Sequence, residues 1–436
     1  MHSLPRLLLR PAVVTTAAML LGAAPQDAPS RSGTDARARG VALHQKRDYT
    51  QAIAAFAEAI RLDPKDALAY YDRATSYAET HDLDKAVEDY DAAIKLDDRL
   101  ALAYFGRGRV WAARGDFDKA IADYDKAVGV DPNDALARFA RAQAKAAKGD
   151  LDTAIADYDE AIRLDPSRAL PYLSRGDAWR EKKDYDKAVA DFNHAVRLNP
   201  RLADAFQARG SAYFALARYP EAVDDFTEAV GIDPQFTQAY RARGTTWFEL
   251  SEYDKAVADY DKALALDPKD ACACYGRGRA RAQAGDNDKA AADYSKAIEL
   301  TPGYADALAA RGAVRVAQGR FAEADADLDK ALTIDSRNAV AAIHRARLLA
   351  ACPDDALRDG PRAIELADLA CELVHGDSLH ALQALAAAFA ENDRFDEAVA
   401  WQSKALPLAK TSEDRTKAQT RLELYRNRQP LRDPAP

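Results

Sequence analysis

Four cysteines, seven histidines and a recurring set of arginines and aspartates are the residues in this 436-residue sequence whose types are suited to chemistry. Cys272 and Cys274 stand two apart on a predicted helix, so they point in different directions and suit neither a disulfide nor a CxxC redox pair. Cys352 lies in a predicted turn. Cys371 sits about ten residues into the following helix, hence roughly 15 Å from its start, whereas a disulfide needs Cα atoms within about 7 Å. The four thiols therefore read as free. Cys371 and His375 share a helical face, but His380 opens the next element and no fourth ligand stands nearby, so the tight spacing of a zinc site is missing. His44, His81, His194 and His344 are scattered singly, with no Ser or Cys partner suggested by spacing. Gly106-Arg107-Gly108 and Gly276-Arg277-Gly278 fall inside predicted helices and follow no strand, which removes a phosphate-loop reading. Asp123-Tyr124-Asp125 also lies mid-helix, where its carboxylates cannot converge on a calcium ion. No catalytic, cofactor-binding or metal-ligating residue is assigned.

The arginines and aspartates are ordered. Arg39, Arg73, Arg107, Arg141, Arg175, Arg209, Arg243, Arg277 and Arg311 recur every 34 residues. Asp89, Asp123, Asp157, Asp191, Asp225, Asp259, Asp293 and Asp327 each follow one of them by 16. If the two columns lie on antiparallel helices joined by a turn, they sit at similar height. An intra-repeat ion pair and a ligand-binding arginine ladder are both compatible with that register; the pair is favoured.

The same period runs through everything that must position these groups. Pro64, Pro132, Pro166, Pro200, Pro234, Pro268 and Pro302 lie on one 34-residue grid. A period of this length marks a stacked repeat array. Only small residues occupy the column Gly40, Ala74, Gly108, Ala142, Gly176, and so on to Gly312. The columns Ala52 to Ala324 and Ala59 to Ala331 are alanine throughout, so backbones must approach closely there. Ile121, Tyr124 and Val128 stand at i, i+3 and i+7, a helical stripe. Breaks such as Gly115-Asp116 and Gly149-Asp150 divide each unit into two short helices. An Asp-Pro pair stops the second, because proline disfavours helical backbone in the residue before it.

On these residues the sequence resembles the tetratricopeptide repeat family. In the third unit the family pattern falls on Tyr104, Arg107-Gly108, Trp111, Ala120, Tyr124, Ala127 and Pro132. The resemblance implies an all-α fold, a right-handed superhelical solenoid of tandem helix-turn-helix repeats whose first helices line a concave groove. The arginine column departs from it, since many such repeats carry Leu there. The organisation expected is a leader at 1–24, a linker at 25–32 and nine tandem repeats at 33–338. An irregular tenth repeat with an insertion follows at 339–378, then an eleventh at 379–410 and a capping helix and tail at 411–436. For the irregular stretch at 350–361, closure of the core is the favoured role and a functional loop the other.

The resemblance also says where a partner would sit. Its groove-facing columns map onto Tyr71, Phe105, Phe139, Arg241 and Tyr275 in one row and Arg109 and Arg279 in a second. A third row holds Arg180, Phe214 and Phe248. Aromatics interleaved with arginines are the types enriched at binding hot spots. The rings could equally pack against the neighbouring repeat. The Lys and Asn with which some family members grip a C-terminal carboxylate are absent; Phe105 and Arg109, or Phe139 and Gln143, stand there.

Charge and ends narrow the function. A formal charge of −9 and a pI near 5.4, with Asp-rich second helices, disfavour nucleic acid. Arg6 and Arg10 precede an apolar run from Ala12 to Ala24 with small residues at its end. This is the pattern of a secretory signal peptide, and it is shorter than the ~20 apolar residues of a transmembrane helix. The expected protein is a non-catalytic scaffold, exported to a periplasmic, envelope-associated or secreted location. It binds a protein or peptide partner in its groove, uses no cofactor, and leaves self-association open. The alternative is a carbohydrate- or envelope-binding accessory of an enzyme system.

Overall fold

The computed structural model describes residues 31–376 and 378–433; the leader expected at 1–24 lies outside them. Among the described residues there are 23 α-helices, two 3₁₀ turns and no strand, and the chain is an all-α solenoid of helical hairpins. It falls into two compact units, one up to Leu216 and one from Ala217.

The first unit holds the helices Arg31–Gln45, Tyr49–Leu62, Ala67–Glu79, Leu83–Leu96, Ala101–Ala113, Phe117–Val130, Ala135–Ala147, Leu151–Leu164, Ala169–Glu181, Tyr185–Leu198 and Ala203–Ala215. Its first helix begins at Arg31, inside the stretch read as a linker. The local sequence dictates this rhythm. Asp116, Asp150 and Asp184 accept the backbone N–H three residues on and start the second helix of their repeats. Between the helices one residue takes the left-handed conformation, glycine at Gly115 and Gly149 but Arg47, His81 and Lys183 elsewhere. The helices close tightly because the small columns leave room. A Cβ on Gly108 would meet the Tyr124 ring at 2.7 Å, and one on Gly176 would meet the Phe192 ring at 2.6 Å. Ala120 and Ala154 are fully buried.

The second unit repeats the pattern through Tyr219–Ile232, Thr237–Glu249, Tyr253–Leu266, Ala271–Gln283, Asn287–Leu300, Ala305–Ala317 and Phe321–Ile334. It then continues as Ala339–Ala351, Gly360–Leu373, Leu379–Glu391, Phe395–Ala405 and Ser412–Arg426. The irregular turn between Ala351 and Gly360 is tied down by Arg358. Its Nη1 donates to the Cys352 carbonyl at 2.8 Å and its Nε to Glu391 at 2.9 Å. Leu349, Leu366, Leu385, Phe389 and Tyr425 share one core around it.

Candidate functional site

The arginine column is structural. In seven repeats the guanidinium grips the aspartate 16 residues on with two parallel bonds. These are Arg73–Asp89, Arg107–Asp123, Arg141–Asp157, Arg175–Asp191, Arg243–Asp259, Arg277–Asp293 and Arg311–Asp327. Nε to Oδ2 measures 2.7–3.1 Å and Nη2 to Oδ1 2.5–2.7 Å. This fork-on-fork geometry is the one a planar guanidinium makes best, and lysine could not replace it. The aspartate side chains are 5–9% exposed and the arginines 15–21%.

From Arg107 onward each arginine of the column also has a second grip that sequence reasoning missed. Its Nη1 reaches back to the second helix of the preceding repeat: Arg141 to Asp125 at 2.6 Å, Arg175 to Asp159 at 2.5 Å, Arg277 to Asp261 at 2.6 Å. Where that residue is not acidic the bond survives, from Arg209 to Asn193, Arg243 to Thr227 and Arg311 to Ser295. One side chain thus closes its own hairpin and staples it to the one before. The signal was present: positions 91, 125, 159, 193, 227, 261, 295 and 329 hold only Asp, Asn, Thr or Ser. With their donors committed in this way, the arginines have little left for a ligand.

The aromatic row is half structural. Tyr71, Phe105 and Phe139 pack against Tyr90, Tyr124 and Tyr158 of their own repeats, with ring centroids 6.0, 5.8 and 5.8 Å apart. Tyr275 does the same with Tyr294 at 5.8 Å and also meets Tyr304 of the next repeat at 5.1 Å. The rings therefore pack within their repeat first, not only against the neighbour, and each stays half-buried. The second-helix tyrosines beneath are deep. Burial raises the Tyr90, Tyr124, Tyr158 and Tyr294 phenols well above their ordinary range.

One tetratricopeptide repeat profile matches residues 71–135 and 139–203, two others match 203–236 and 237–270, and a TPR repeat profile matches 40–80 and 278–319. Together these cover more than half of the chain. The chain belongs to the tetratricopeptide repeat family. No curated sequence matches it significantly. Among solved structures it is similar to the APC/C hetero-tetramer Cut9–Hcn1, at 16% identity over 91% of this chain and 96% of that one, with a TM-score of 0.52. That likeness speaks for the fold alone. Yeast Tom70 matches at 17% identity over 91% of this chain and 96% of its own, TM-score 0.41. YrrB, described as a TPR protein with an unusual peptide-binding site, matches at 27% identity over 42% of this chain and 95% of its own, TM-score 0.39.

Within this tetratricopeptide repeat chain the remaining groove residues differ in availability. Arg109 is exposed beside Phe105. Arg180 folds onto Asp177 of its own helix at 2.9 Å, and Arg241 lies 3.4 Å from Asp270. The Arg279 guanidinium lies 4.1 Å from the centroid of the Phe248 ring and 5.9 Å from that of Tyr275, joining three of the expected residues into one group. Phe214 is half-buried on the last helix of the first unit. His44, for which spacing suggested no partner, places Nδ1 2.9 Å from the Ser76 hydroxyl. That hydroxyl is fully buried and donates to the Asp72 carbonyl, so the pair braces two helices and has no access to a substrate. Cys272 is exposed, Cys274 and Cys352 are buried, and all four thiols are free. No described helix is long and apolar enough to cross a membrane.

Proposed function

We propose that this chain is a non-catalytic scaffold that holds an extended or helical segment of another protein along the ring-and-arginine face of its first helices. One observation carries the reading. Tyr71, Phe105 and Phe139 are held at fixed positions by Tyr90, Tyr124 and Tyr158 while part of each ring remains open. Arg109 stands exposed one turn along from Phe105. Side chains already immobilised on packed helices lose little entropy when a partner arrives, so more of the contact energy appears as affinity. The Phe248–Arg279–Tyr275 group offers the same chemistry in the second unit. We further propose export, on the basic-then-apolar pattern of residues 6–24.

Truncating Phe105 or Phe139 would disturb Tyr124 or Tyr158 as well as the face, so the separating test uses the arginines. The chain and its Arg109→Glu/Arg279→Glu variant are used to capture proteins from the native envelope fraction, with helix content and melting followed by circular dichroism. A protein held by the parent and lost by an equally stable variant is the expected result. Equal capture by both would refute this face as the site. Retention on isolated cell-wall glycans without protein would favour the carbohydrate-binding alternative.

A further inference from the structure

The last repeats hold a cationic cluster that the ring rows do not use. Arg347 stands two 34-residue periods after Arg279 and so in the row of Arg109 and Arg279. Unlike them it is closed over, with 1% of its surface exposed. Beside it, Arg421 on Ser412–Arg426 is 7% exposed and donates to Gln383 on Leu379–Glu391 at 2.7 Å. His344 and His380 face the same charges. Burial first, and then Arg347, hold both imidazoles below their ordinary value. A guanidinium keeps its proton, so burying two side by side is unfavourable unless negative charge comes to them.

The chain's own tail brings that charge. Beyond Arg426 the backbone turns through Arg428 and runs without helix from Gln429 to Asp433. Leu431 packs against the core of Leu349, Phe389 and Tyr425. Arg432 Nη1 donates to Glu391 Oε2 at 2.6 Å, and Asp433 is the acid whose charge acts on both Arg347 and Arg421. The seat is shallow: Leu431 is only part-buried, and Arg432 and Asp433 remain exposed. Pro430 presets the backbone before Leu431, which lowers the cost of ordering so short a segment. Such a contact persists because the tail is tethered, at an effective concentration in the millimolar range for a short linker.

We propose that the face around Arg347 and Arg421 recognises an extended polypeptide segment carrying an apolar residue two positions before an acidic one. The chain's own Leu431–Asp433 holds this site until a partner with the same pattern displaces it. The site uses none of the residues assigned to the ring-and-arginine face, so its failure leaves the proposed function standing, and the failure of that reading leaves this site untouched.

The probe is a fluorescent peptide of Arg426–Asp433 with an amidated end, titrated by anisotropy into the full chain and into its Leu431→Ser/Asp433→Lys variant. The variant should bind at least tenfold more tightly than the parent chain. A peptide carrying the same two changes should bind neither. If the double variant melts early, Asp433→Lys alone, at an exposed position, serves with the same direction expected. Equal affinity for both chains, binding by neither, or equal binding of the two peptides overturns the proposal. A parent-chain dimer dissolved by the peptide would place the tail in a second copy and overturn it too.

Discussion

Asp157 and Asp125 both bond Arg141, and replacing each by alanine should have very different consequences. Asp157 receives Nε and Nη2 of Arg141 at 2.7 and 2.6 Å and Nζ of Lys145 at 2.8 Å, with 8% of its side chain exposed. Asp125 receives Nη1 at 2.6 Å but is 55% exposed. Removing one partner of a buried pair costs about 3–5 kcal/mol. Arg141 would keep Asp125 and is 15% exposed, which places Asp157→Ala at the lower end, about 3 kcal/mol. An exposed pair contributes about 0–1 kcal/mol, so Asp125→Ala falls there. A repeat array need not unfold in one step, so a single melting point would blur the difference. Native-state hydrogen exchange on the helices Ala135–Ala147 and Leu151–Leu164 reads it locally. At 1.4 kcal/mol per tenfold, protection should fall roughly 100-fold for Asp157→Ala and less than about fivefold for Asp125→Ala. The pH dependence follows the same pair. Burial acts to raise the Asp157 carboxyl, but the bonds and charges of Arg141 and Lys145 outweigh it and hold it below its ordinary 3.8. Its contribution is therefore complete above about pH 4 and fades as pH falls through the lowered value. Protection losses within twofold of each other would refute the argument from burial.

Two further outcomes follow from the hairpins. His81 and Lys183 hold left-handed turns at φ 61° and 62°, where Gly115 and Gly149 serve in sister repeats. His81→Gly and Lys183→Gly should each stabilise their hairpin by roughly 0.5–1 kcal/mol, the relief of strain less the glycine's added chain entropy, and hydrogen exchange of the flanking helices would register it. The buried phenols of Tyr90, Tyr124, Tyr158 and Tyr294 are raised above their ordinary 10, so the stability they carry is complete below pH 10 and lost as pH rises through their folded values. In a spectrophotometric titration they should ionise only as helical circular dichroism collapses; ionisation of the full tyrosine complement at pH 11 with helicity intact would contradict it.

What could be read from the residues was whatever recurs. The helix pairs, the small columns and the 16-residue Arg–Asp spacing follow from local rules applied again every 34 residues. An error at one repeat would have been exposed by the next. The backward grip of the arginines from Arg107 on was present as the polar column from 91 to 329, but its meaning needed the distance between successive hairpins. The rings of Tyr71, Phe105 and Phe139 left packing and binding undecided, because a half-buried ring serves both and only the tilt against Tyr90, Tyr124 and Tyr158 apportions it. The closure of the second unit was beyond sequence reasoning. Arg358 on Glu391, Arg421 on Gln383 and the charge of Asp433 on Arg347 each occur once, between residues 33 to 86 positions apart. Sequence by itself determined the repeating hairpin, since its interactions are short-range and periodic. Tertiary structure decided which polar groups meet at the end of the array, since contacts that are distant in the chain and made only once leave no period to read.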